Sequence, residues 1–214
     1  MAERALLHET DALRALVAAC ETHVSRPEIT QPACRALRNM AVRPAAQRPA
    51  VAAGAIDAAL RAMDAAPATV ALQISACGFL KNVAAMSAHG RDAVRASAAI
   101  PKLVATAERN KAASDVQNQA GLALFYIIGA DHQQPEEPDP TWRQVALDAG
   151  ADARWLDGIK HRLRMPDESE VDSRFPTEFA KQNRLQNRRA LALVDKTAMQ
   201  EHEQQPLLSI KQVT

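Results

Sequence analysis

The sequence predicts an all-α protein built from stacked helical units, and two observations carry that prediction. The first is a segment that returns at a fixed spacing. Ala33-Cys34-Arg35-Ala36-Leu37-Arg38-Asn39-Met40-Ala41 reappears as Ala76-Cys77-Gly78-Phe79-Leu80-Lys81-Asn82-Val83-Ala84, and a looser copy follows from Ala120 to Ile128. The offsets are 43 and 44 residues, a period that belongs to repeated helical units. The second is composition. Apolar residues make up 47% of the 214 residues but aromatics only 3%, so alanine and aliphatic side chains must fill the core. Small side chains let helices approach closely, and the alternating Val/Ile/Thr/Tyr pattern of strands is absent.

The elements follow in chain order. Ala5 to Ala19 places Leu6, Leu13, Leu16 and Val17 on one stripe and reads as an N-terminal capping helix within residues 1–25, which an open stack requires to cover its end layer. Each unit then reads as a short helix, a turn at a glycine or small residue, and a second helix. Val51 to Ile56 runs into Leu60 and Met63, Val94 to Ile100 into Val104 and Ala107, and Val145 to Ala151 into Trp155 and Ile159. A glycine at such a turn supplies positive φ without a Cβ. Polar or proline-bearing turns follow (65–69 and 112–115), and the third helix opens with Val70-Ala71-Leu72-Gln73 or Val116-Gln117-Asn118-Gln119.

This order, with Gly-Ala-Ile at the turn, Val-x-x-Gln at the third-helix start and Ala-x-x-x-Leu-x-Asn-Val-Ala within it, resembles the armadillo repeat. The likeness is good over residues 30–130 and partial over 10–29 and 142–165. A period of 43–44 excludes the tetratricopeptide and ankyrin classes, and the recurring Asn and Gly-Ala-Ile turn favour armadillo over HEAT. The resemblance implies a right-handed armadillo-type α-solenoid of about three repeats over residues 1–165. An acidic, Pro-rich surface loop is expected at 131–141. A polar linker, a helix from Thr177 and an extended tail are expected over 166–214.

The resemblance also implies a site. In armadillo proteins that bind extended peptides, the Asn matched here by Asn39 and Asn82 pairs with peptide backbone from the inner face. A Trp one turn earlier stacks on basic side chains. This chain has Arg35, Gly78 and Leu122 at the Trp positions, and Tyr126 replaces the third Asn, so it departs from typical receptors of nuclear localisation signals. The residues left on that face, Arg35, Arg38, Asn39, Arg43, Lys81, Asn82 and Tyr126, make a basic groove suited to an acidic segment of a protein partner.

Other chemistry finds little support. Cys20, Cys34 and Cys77 sit in apolar contexts and read as core residues. Six scattered histidines offer no metal-ligand spacing. No phosphate-cradling glycine loop occurs. Ser87 near His89 and Cys20 near His23 lack the third group and oxyanion site that a triad needs. The expectation is a non-enzymatic adaptor without metal or cofactor. The net charge of +1 divides into +4 over residues 1–130, −6 over 131–173 and +3 over 174–214, unlike the basic footprint of a nucleic-acid binder. Arg184, Arg188 and Arg189 form a short basic patch in the tail without neighbouring aromatics for base stacking. Trp142, Trp155, Phe175 and Phe179 are expected to anchor the C-terminal cap. Apolar runs too short to span a bilayer, and an acidic N-terminus unlike a signal peptide or presequence, point to an intracellular, cytoplasmic protein. The alternative role is a structural subunit of a large ciliary, cytoskeletal or ribonucleoprotein assembly, anchored by its tail through Phe175, Phe179 and the arginine patch.

Overall fold

Ten helices account for nearly all of the chain that the computed structural model describes, residues 2–129 and 138–163. They are α1 (Ala2–Thr22), α2 (Pro27–Met40), α3 (Pro44–Ala52), α4 (Ala55–Ala65), α5 (Val70–Met86), α6 (Ala88–Arg95), α7 (Ala99–Arg109), α8 (Ser114–Ile128), α9 (Pro140–Asp148) and α10 (Ala153–Leu163). The described residues are all-α, as the sequence predicts. Among the described residues no helix is long and apolar enough to cross a membrane. The expected tail helix from Thr177 lies outside the described residues.

Local chemistry sets the helix boundaries. Prolines open α2, α3 and α9 in the first turn, where a missing N–H costs nothing and φ is already helical. Gly54 at φ 79° joins α3 to α4, and Gly150 at φ 93° follows α9. Both turns were expected from the repeated glycine. The middle unit has no glycine there. Instead Ser97 Oγ donates to Val94 O at 2.7 Å and accepts from Ala99 N at 3.2 Å, closing the turn between α6 and α7 with a side chain. The acidic loop ends sooner than expected, because Asp139 caps α9 by accepting from Thr141 N at 2.9 Å and Pro140 takes the first turn. Residues 140 and 141 are therefore helical, and residues 131–137 lie outside the described residues. An antiparallel β-bridge, Gly129 to Pro138, flanks that segment.

Helices α2, α5 and α8 lie side by side, with α5 between the other two. Gln31 Nε2 reaches Ser75 Oγ at 3.5 Å near one end, and Asn82 Nδ2 donates to Arg38 O at 2.8 Å near the other. Both pairs are 44 residues apart, so α2 and α5 run in the same direction with residue i beside residue i+44. Helix α5 is buried on nearly every side, from Leu72 and Gln73 through Ser75–Leu80 to Ala84, which matches its apolar circumference. The core around it joins Leu13, Leu37, Met63, Phe79, Ile100 and Leu124 with many alanines.

Buried glutamines fasten the helix ends. Gln73 Nε2 donates to Met63 O and Ala66 O, both at 3.0 Å, satisfying carbonyls at the end of α4. Gln117 repeats this one unit later, donating to Ala107 O and to Asn110 O. The repeat of Gln73 is therefore Gln117, not Gln119 as the Val-x-x-Gln pattern suggested. Gln47, 1% exposed, ties three elements at once. Its amide nitrogen lies 3.3 Å from Ala41 O and 3.4 Å from Asn82 O, and its oxygen accepts from Ser87 Oγ at 2.6 Å. Gln47→Leu keeps the volume but strands two carbonyls and a hydroxyl, and is expected to cost roughly 2 kcal/mol. An unchanged urea midpoint would contradict this network.

The cysteines are all free and fully enclosed. The neighbouring Cys20 thiol of α1, and then burial, hold the Cys34 thiol of α2 protonated. Burial pushes Cys77 up to about 12. They are core residues, as their apolar contexts predict.

Candidate functional site

Helix α2 carries Arg35, Arg38 and Asn39 within one turn, at the i, i+3 and i+4 spacing that shares a face. Arg35 and Asn39 are exposed and Arg38 is half-buried. Arg43 is also exposed and stands just beyond α2, at the N-cap of α3. From α5, Lys81 is half-buried beside Arg38. The sequence-derived basic face thus brings together Arg35, Arg38, Asn39 and Lys81.

Gly78 decides how Arg38 lies. A Cβ at position 78 would stand 2.6 Å from Arg38 Nε and 2.7 Å from its Cδ. The Arg38 side chain therefore crosses the α5 backbone where a side chain is missing, and its guanidinium comes within electrostatic range of Lys81. Burial and then the Arg38 charge lower the Lys81 ammonium to about 8, and burial lowers the Arg38 guanidinium as well. Neither cation has a carboxylate partner among the described residues. Ion pairs such as Arg14–Asp11, Arg61–Glu21, Arg95–Asp92, Lys102–Asp64, Lys111–Glu108 and Arg143–Asp157 engage other cations, and none among the described residues involves Arg35, Arg38 or Lys81.

Asn82 departs from the expectation of an outward-facing amide. It is 8% exposed, and its Nδ2 is committed to the carbonyl of Arg38. The reason is local: Arg38 is two residues from the end of α2, so no helical N–H reaches its carbonyl and the neighbouring helix supplies one. Asn39, its counterpart in α2, remains exposed. Tyr126 is half-buried in α8, edge-on to Phe125 with ring centroids 5.4 Å apart, and burial raises its phenol. It sits 44 residues beyond Asn82.

The far end of the described chain is fastened rather than open. Arg95 donates to Ile127 O and Gly129 O, each at 2.8 Å, and its guanidinium lies 5.1 Å from the Trp142 ring centroid. Trp155 packs near Gly121, with Nε1 buried and unpartnered. Both tryptophans are therefore packed within the last helices. Phe175, Phe179, Arg184, Arg188 and Arg189 lie outside the described residues. No group of three or more His, Cys, Asp and Glu side chains suited to a metal occurs among the described residues.

Comparison with protein-family models, curated proteins and solved structures finds no match for this chain. Residue chemistry and geometry must carry the functional reading. Two residues that matter here, Gly78 and Gln47, carry no local signal in the sequence that marks them as site or network residues. In the sequence Gly78 reads only as a missing Trp, and its role depends on the arginine 40 residues earlier in the chain.

Proposed function

We propose that this chain is a non-enzymatic interaction scaffold, an armadillo-type α-solenoid that holds an acidic segment of a protein partner along the face shared by α2 and α5. The 43–44-residue echo and the short–short–long succession α3–α4–α5 and α6–α7–α8 support the architecture. One observation carries the binding role: Arg38 and Lys81 are adjacent, half-buried and without a carboxylate partner among the described residues, with exposed Arg35 on the same face. Buried cations are ordinarily paired, and an acidic partner would supply what the described residues do not. Arg35 extends the basic face for a further contact, while Asn82 holds the helices together beneath it.

The test is a fluorescence titration of the full chain with labelled oligoglutamate, oligolysine and uncharged peptides. Oligoglutamate is expected to bind at least about tenfold more tightly than the others. Reversal of charge at Arg35 and Arg38 should remove that preference, whereas reversal at Arg184, Arg188 and Arg189 should leave it. Equal affinity for the three peptides would refute the reading. Loss on tail reversal alone would move the binding surface to the tail, as a subunit anchored in a larger assembly requires.

A further inference from the structure

We propose that Arg38 and Lys81, brought together over Gly78, form a discrete seat for one oxyanion, filled in the complex by a side-chain carboxylate of the partner's acidic segment. The identity of that occupant rests on the function proposed above; the seat itself does not. Three features build it. Gly78 leaves the α5 backbone bare, so the Arg38 side chain lies across it, where any Cβ would meet Nε and Cδ. Lys81 follows three residues later on the same helix, close enough for the two positive charges to oppose each other. No carboxylate of the described residues neutralises either.

Such an arrangement is unfavourable when empty, because two like charges share a partly desolvated position. One oxyanion between them replaces that repulsion with two attractions. The guanidinium offers a planar fork that matches two oxygens of a carboxylate, and the ammonium adds a third donor from the side. The seat fixes one acidic side chain at a defined point on the α2–α5 face. Arg35, exposed one turn earlier on α2, is placed to meet a second along an extended segment. Asn82 contributes indirectly, since its hydrogen bond to Arg38 O holds the backbone from which the guanidinium extends.

Gly78→Ala separates the seat from the fold. The substitution favours helix formation, and its clash falls on the flexible side chain of Arg38 rather than on backbone. The full chain, with its lysine side chains isotopically labelled, is titrated with oligoglutamate and separately with inorganic phosphate at matched ionic strength. Circular dichroism checks that each variant is folded. The Lys81 side-chain resonances are expected to move with both probes, and affinity for each should fall about tenfold or more in Gly78→Ala and in Arg38→Gln. Equal binding by wild type and Gly78→Ala, or unmoved Lys81 resonances at saturation, would overturn the seat. Seat-dependent binding of phosphate without oligoglutamate would overturn the carboxylate occupant, and the acidic-segment function with it.

Discussion

Gly90→Ala is expected to destabilise the protein by about 3 kcal/mol, the upper range for forcing an atom into a filled core. Gly90 lies in the first turn of α6, pressed against the end of α5. A Cβ there would stand 2.3 Å from Val83 O and 3.1 Å from Val83 Cγ1. The carbonyl belongs to helical backbone, so relief requires moving one helix away from the other. That movement also strains the α6 N-cap, where Ser87 Oγ accepts from Gly90 N at 3.0 Å while donating to Gln47. The urea midpoint should fall with an unchanged m-value, and Tm should drop by roughly 6–12 °C. Wild-type stability would mean that α5 and α6 do not approach this closely. Gly78→Ala is the natural control: it is also a helical glycine, but it displaces only a side chain.

Lys81→Met is expected to stabilise the protein at neutral pH by about 2–3 kcal/mol, with the gain disappearing as pH rises. The cause is the lowering of the Lys81 ammonium from 10.5 to about 8, by burial first and by Arg38 second. Below pH 8 the lysine is charged in both folded and unfolded chains, and folding bears the full cost of burying that charge. Between pH 8 and 10.5 the unfolded chain holds the proton more strongly, so wild-type stability gains from this group as pH increases. Each unit of displacement corresponds to about 1.4 kcal/mol. Above 10.5 the lysine is neutral in both states and the cost is gone. Chemical denaturation of wild type and Lys81→Met at a series of pH values yields a difference curve in which shared titrations largely cancel. A gap that stays constant from pH 7 to 10.5 would show that Lys81 is not perturbed in the folded chain.

Much of the helical layout was legible because it rests on short-range chemistry. Gly54 and Gly150 marked turns that need positive φ, and the spacing of Cys34 and Cys77 marked equivalent core positions. Residues whose role depends on a neighbouring helix were harder to read. The sequence pairs Gln73 with Gln119, yet Gln117 reaches the free carbonyls of α7, because the distance back to the preceding helix end decides the match. Asn39 and Asn82 look alike as letters, but only Asn82 has the carbonyl of a preceding helix beside it. Gly78 appeared as the loss of an aromatic, and only packing against α2 shows that Arg38 occupies the space. The basic character of the candidate site was readable from Arg35, Arg38 and Lys81. Their lack of carboxylate partners among the described residues was not, since pairing is a property of three-dimensional placement.

The enclosed thiols of Cys20, Cys34 and Cys77 give the protein built-in clocks. A thiol reagent can reach each one only when the helices around it part. Cys20 and Cys34 keep time for the separation of α1 from α2, while Cys77 keeps time for exposure of the central helix α5. Their separate rates can tell whether the molecule frays from its first helix or opens all at once, without any foreign label being introduced.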